Sequence, residues 1–253
     1  MRVTAILNLK GGVAKTVTCV NMAAILAADQ GKRVLVVDAD SQANTTEFFG
    51  GAEFGGSTIS DLLRRTDVNP VIRATGTARI SLIAADDSLM DLDLSSVKSK
   101  EADMACLRQL LSHHLADFDY CLIDCPPAFN AAAAAALLTA DDVIIPIKLD
   151  AFSLRGMTNL MRQVRNMQTI NPNLRIAGLL PTMVYPSEQI KKALEILRVS
   201  DFNVYTPIRK TAKVDDMTFS QKPLIESSPH SAACVDYRRF VKAYMKEGGA
   251  IRG

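Results

Sequence analysis

Apolar, β-branched runs recur along the chain and alternate with segments of helical periodicity. The runs occupy Val3–Asn8, Arg33–Asp38, Arg79–Ala84, Tyr120–Asp124, Val143–Ile147 and Arg175–Leu180. A run that is apolar without alternation is expected of a strand buried on both faces, as in a parallel sheet. Helical spacing covers Thr16–Gln30, Ser57–Arg65, Lys100–His114, Ala128–Thr139, Ser153–Ile170, Ser187–Val199 and Ser231–Lys246. Strand–helix alternation at this interval predicts an α/β fold, a doubly wound, mostly parallel sheet with helices on both faces. Ligands of such sheets sit beyond the carboxyl ends of the strands, so the loops after the strands are where chemistry is expected.

No repeat, linker or charge block divides the pattern, and residues 1–253 are expected to form one domain. Ala43–Ser57 carries Gly50, Gly51, Gly55 and Gly56 and reads as a mobile surface loop. The six consecutive alanines Ala131–Ala136 fit a helix whose small side chains let a neighbour pack closely. With 48% apolar and 22% charged residues, the chain is neither disordered nor collagen-like. The formal net charge of +2 leaves nucleic-acid binding open, so any basic surface must be local. No apolar run reaches the roughly 18–20 residues of a membrane span. A strand that begins at Val3 leaves no room for a signal peptide. Five scattered cysteines suit the reduced thiols of a cytoplasmic protein, and Cys121 and Cys125 have too few potential ligands nearby for a metal site.

The first strand ends in Asn8-Leu9-Lys10-Gly11-Gly12-Val13-Ala14-Lys15-Thr16, and a helix follows. Strand, Gly-rich turn, Lys-Thr and helix is the P-loop arrangement. Gly11 and Gly12 let backbone N–H groups converge on phosphate oxygens, and the helix aims its positive end at the same place. Lys15 is placed to reach the β- and γ-phosphates of ATP and the Thr16 hydroxyl to bind Mg²⁺. Ala14 stands where the usual loop has Gly, and a positive φ there would cost Ala on the order of 1 kcal/mol.

Lys10, five residues before Lys15, makes the motif more restrictive. With it the sequence resembles the ParA/MinD family of deviant-Walker ATPases. Two further segments carry the resemblance. Asp38-Ala39-Asp40-Ser41-Gln42-Ala43-Asn44 is similar to the family's Asp-x-Asp-Pro-Gln-x-Asn, with Ser41 in place of Pro. Tyr120–Asp124 followed by Cys125-Pro126-Pro127 is similar to a Walker B strand and the family's second switch. The resemblance continues through Ala140–Ile147, Asn171–Met183 and Lys222–Ile225.

The resemblance implies roles. Lys10 would cross a two-fold axis to the nucleotide of a partner subunit in an ATP-dependent homodimer. Asp40 would act on the attacking water, and Asp38 and Asp124 would serve the metal. Gly11, Gly12, Val13, Ala14 and Val17 would line the nucleotide, with Thr182, Met183 and Pro207 at the adenine. Val17 stands where the family usually has a hydroxyl. A ParA-like protein would bind nonspecific DNA through Arg209, Lys210 and Lys213, extended by Lys191, Lys192, Arg198, Arg238 and Arg239, and so be nucleoid-associated in the cytoplasm. A ParB-like or small DNA-binding adaptor would stimulate a hydrolysis that is slow without it, in plasmid or chromosome partitioning. The last helix gives way near Gly248-Gly249 without the basic membrane helix of MinD-like proteins, so no membrane partner is expected. The alternative is a MinD-like or other ATPase positioning cargo on a membrane or protein complex.

Overall fold

A computed structural model describes residues 1–50, 56–64, 71–92 and 105–250. Its strands are β1 (Arg2–Ile6), β2 (Val34–Asp38), β3 (Ile72–Ala74), β4 (Ile80–Ile83), β5 (Tyr120–Asp124), β6 (Asp142–Lys148) and β7 (Arg175–Thr182). They form one sheet in the order β3-β4-β2-β5-β1-β6-β7, parallel throughout except for the antiparallel β3–β4 edge. The sheet is therefore doubly wound, starting from the centre. The helices are α1 (Lys15–Ala28), α2 (Asn44–Phe48), α3 (Ile59–Arg64), α4 (Cys106–His113), α5 (Ala131–Thr139) and α6 (Ala151–Gln168). They continue as α7 (Glu188–Arg198), α8 (Ala212–Ser220), α9 (Leu224–Ser227) and α10 (Ala232–Ala250).

The central strands carry no exposed position: β1, β2 and residues 121–124 of β5 are wholly buried. Each face of the sheet has its own core. On one, Ile6, Val36 and Leu122 pack with Met22 and Leu26 of α1 and with Tyr237, Phe240 and Tyr244 of α10. On the other, Leu35, Val37 and Ile123 pack with α5 and with Leu160 and Val164 of α6. All nine residues of α5 are buried, as its alanine run allows. Its exposed amides and carbonyls are closed by side chains: Asn130 Oδ1 accepts from the Ala133 N–H at 3.0 Å, and Asn171 Nδ2 donates to the carbonyls of Leu137 and Ala140 at 2.9 Å. A buried polar knot joins the chain ends. Asp142, fully buried on β6, takes Arg2 of β1, Arg175 Nε of β7 at 2.5 Å and the Tyr244 hydroxyl of α10 at 2.8 Å.

Two expectations need correction. Ala43–Ser57 is not all loop: α2 occupies Asn44–Phe48 and buries Thr45 and Thr46, whose hydroxyls find partners inside. Residues 51–55 of that stretch lie outside the described residues. The terminal helix continues to Ala250 despite its glycines. The short elements β3, α8 and α9 have no periodicity long enough to read. The start of the expected Lys100–His114 helix lies outside the described residues up to 104, and α4 begins at Cys106.

Gly178 sits where β7 meets the following chain. A Cβ there would lie 2.7 Å from the Asn203 carbonyl and 2.8 Å from Tyr205 Cε2. That carbonyl is held by the Leu179 N–H at 2.8 Å and cannot yield freely. Gly178→Ala is expected to lower stability by about 1–3 kcal/mol, as overpacking does, measured by urea unfolding.

Candidate functional site

Three neighbouring strand ends build the site. The parallel register pairs Ile6 with Asp124 on one side and Asp38 with Asp124 on the other. The loop after β1 therefore emerges beside two carboxylates that are 86 positions apart in sequence. Asn8 sets the loop's start: its amide donates to the Pro146 carbonyl at 2.7 Å, and its Oδ1 accepts from the Lys10 N–H at 3.0 Å. Gly12 lies at φ 69°, and a Cβ on Gly11 or Gly12 would meet nothing within 4 Å. The concave face of the loop is open, as a phosphate-binding loop requires. Ala14 adopts φ 66°, ψ 37°, the left-handed conformation that usually calls for glycine, and its carbonyl accepts from the Thr18 N–H at 2.9 Å.

Lys15 is 93% buried at the start of α1, and its Nζ reaches the Lys10 carbonyl at 3.4 Å. Burial lowers its pKa, while Asp124 and Asp40 work the other way. Thr16 Oγ1 donates to Asp124 Oδ2 at 2.7 Å. Thr45 Oγ1 donates to the same oxygen at 2.7 Å. Asp124 Oδ1 is buried and has no hydrogen-bond partner among the described residues. Asp38, fully buried, accepts from the Thr46 N–H at 2.7 Å, the Thr46 hydroxyl at 2.8 Å and the Asp40 N–H at 3.1 Å. Burial holds both carboxyls well above the ordinary carboxylate range, helped by repulsion from Asp124 on Asp38 and from Asp40 on Asp124. Two buried acids with an orphan oxygen beside an open phosphate loop fit a divalent cation, whose charge would offset their desolvation. Asp40 stands two residues beyond the end of β2, partly exposed, with Oδ1 accepting from the Gln42 N–H at 3.1 Å.

Comparison with known proteins agrees with this geometry. A family model described as an AAA domain matches residues 1–176. The sporulation initiation inhibitor protein Soj of Bacillus subtilis is 32% identical over 98% of this chain and 99% of its own. Chromosome partitioning protein ParA of Caulobacter vibrioides is 38% identical over 72% of this chain and 70% of its own. This chain belongs to the ParA family of P-loop ATPases. A solved structure, cobyrinic acid a,c-diamide synthase from Mycobacterium smegmatis with bound ATP analog and magnesium, superposes with TM-score 0.82 at 28% identity. It covers 98% of this chain and 96% of that one.

The remaining residues singled out in the sequence divide in space. A cavity opens beside the ParA-type loop and is lined by Ala14, Val17, Thr182, Met183, Ile208 and Asp215, among others. Thr182 Oγ1 donates to the Val13 carbonyl at 3.1 Å, which fixes the loop against β7. Pro207 is not part of that lining; Ile208 to Thr211 are. Lys10 points along the loop mouth, its Nζ 2.8 and 2.7 Å from the two carboxylate oxygens of Asp150. Arg209 binds Asp236 through Nε and Nη2 at 2.7 and 2.8 Å, a tie between the α7–α8 segment and α10. Lys213 pairs with Asp216 at 2.9 Å, and Arg238 with Asp29 at 2.7 Å. Lys210 makes no ion pair among the described residues. Thr45 and Thr46 were missed because a Thr pair in a Gly-rich stretch has no periodic signal; only the fold brings them to the carboxylates. Cys121 and Cys125 are buried and not joined in a disulfide.

Two outcomes follow from this geometry. Glycine at position 14 removes the left-handed strain but loses more chain entropy on folding. Ala14→Gly is therefore expected to raise stability by up to about 1 kcal/mol in urea melts. In nucleotide-free protein with EDTA, Asp38 and Asp124 hold protons in the folded state at pH values where the unfolded chain has released them. Unfolding free energy contributed by the pair therefore falls as pH rises from the ordinary carboxylate range toward neutrality. Urea midpoints across that range should show the fall, and Asp38→Asn should flatten it.

Proposed function

We propose that this protein is a ParA-like nucleotide switch that partitions plasmid or chromosomal DNA. MgATP closes a two-fold dimer, and the dimer binds duplex DNA without sequence preference. A ParB-like or small DNA-binding adaptor then stimulates hydrolysis, which opens the dimer and frees the DNA. The observation that carries the reading is the division between two lysines of one loop. Lys15 is buried at the phosphate cradle, while Lys10, with 37% of its side chain exposed, sits at the mouth where a partner subunit would meet it.

Roles follow from position. Gly11, Gly12, Val13 and Ala14 supply backbone donors to the phosphates, and Lys15 neutralises them. Thr16, Asp124 and Asp38 would hold the magnesium ion, directly or through its water. When bound, the ion would supply positive charge that offsets the charge of the phosphates. Asp40, at the exposed end of the acidic pair, orients the attacking water. Val17, Thr182 and Met183 pack the adenine, and Pro207 precedes the lining residue Ile208. Lys10 must leave Asp150 to cross to the partner's nucleotide. Exposed ion pairs are worth only about 0–1 kcal/mol, so this contact does not prevent closure. Free protein hydrolyses slowly because one of its cations is elsewhere until the dimer forms. The DNA surface centres on Lys210 and Lys213, reinforced by Lys191, Lys192 and Arg198, with Arg209 bracing it from Asp236.

The test is binding to random-sequence duplex DNA in MgATP, MgADP and no nucleotide across a salt series. Tight, salt-sensitive binding in MgATP alone is expected. Lys10→Ala should abolish both the ATP-dependent dimer, seen by light scattering, and the DNA binding. Lys213→Ala should reduce the log–log salt slope by about 1. Asp40→Ala should keep dimer and DNA binding while slowing phosphate release by about 100-fold or more. Absence of DNA binding in every state would sink the partition reading and favour a membrane or protein cargo.

A further inference from the structure

We propose that Thr45 is a positioning residue for Asp124, turning the carboxylate's free oxygen toward the metal and tying α2 to the state of the nucleotide site. The inference rests on the reading of Asp124 as a magnesium-side carboxylate. Both hydroxyls that reach Asp124, from Thr16 and from Thr45, end on the same oxygen at 2.7 Å. The other oxygen is buried and has no partner among the described residues. A single hydroxyl leaves a carboxylate free to pivot about its Cβ–Cγ bond. Two donors arriving from different elements, the phosphate loop on one side and α2 on the other, leave one orientation. Thr45 is fully buried, so its hydroxyl has no water to turn to.

The neighbouring residue makes the arrangement rigid. Thr46 donates to Asp38 from both its N–H and its hydroxyl, and that hydroxyl accepts from the Ala85 N–H at 2.9 Å. The first turn of α2 thus grips the carboxylates of two adjacent strands, one per threonine. A cation drawn to Asp124 and Asp38 would pull on both grips. Through Thr45 and Thr46, α2 is the element outside the phosphate loop that registers the metal.

Nucleotide-dependent Mn²⁺ binding, read by electron paramagnetic resonance on the full chain with ADP, tests the proposal. Partners of ligating carboxylates typically contribute about 10–100-fold in metal affinity, so Thr45→Val is expected to weaken Mn²⁺ about tenfold. ADP binding in EDTA should stay unchanged, which also reports that the variant is folded. Thr45→Ser, which keeps the hydroxyl, should bind Mn²⁺ like the native protein. Native Mn²⁺ affinity in Thr45→Val, or the same loss in both variants, overturns the proposal. Should Thr45→Val not fold, hydrogen exchange of the native protein decides. Amides 44–48 should exchange more slowly with Mn²⁺ and ADP than with ADP in EDTA, and equal rates overturn the coupling. Failure of the underlying reading looks different. A native protein with no nucleotide-dependent Mn²⁺ site, or a site that survives Asp124→Asn, removes Asp124 from the metal and Thr45 with it.

Discussion

The site depends on the parallel register of three central strands. Because Ile6, Asp124 and Asp38 are cross-strand neighbours, the loop after β1 and both acids emerge at one level of the sheet. The phosphate loop rises from the first strand, and the two acids end the next two. Both acids are fully buried, and burial alone would make a close carboxylate pair costly. The fold answers with hydroxyls and N–H groups from α1 and α2, and leaves one oxygen open. A slip of one residue in either pairing would turn Asp38 or Asp124 to the opposite face and leave the loop facing apolar side chains.

The same economy governs the cations. Lys15 sits where burial lowers its pKa and the neighbouring Asp124 and Asp40 partly offset that. Lys10, on the same loop, stays at the surface with Asp150. Along the β7–α8–α10 side, several basic residues that look free in the sequence are paired with acids from distant segments. Asp236 holds Arg209, and Asp29 holds Arg238. A basic cluster in sequence is therefore not the same as a positive surface. The net field of that face is set by which acids the fold delivers to it.

Much of the architecture was legible in the chain. Six of the seven strands and the longer helices carry unbroken apolar runs or helical periodicity, because burial on both faces or along one stripe leaves its mark at every position. The phosphate loop was legible for a different reason: its residues are consecutive, and glycine, lysine and threonine are each required by local geometry. Ala14 illustrates both sides. Its sequence position flagged a possible strain, and only the backbone shows that it adopts the left-handed conformation.

What the sequence determined by itself was the order and kind of the main elements, the doubly wound class and the consecutive motif around Lys10–Thr16. What only the tertiary structure decided was which distant side chains meet. The contact of Thr45 with Asp124, the tie of Arg209 to Asp236 and the knot of Arg2, Arg175 and Tyr244 on Asp142 all join residues separated by tens to hundreds of positions. The reason is physical. Periodicity and turn chemistry act over a few residues and so are written locally. The partner of a buried polar group is chosen by sheet register and helix packing, which exist only once the chain has closed on itself.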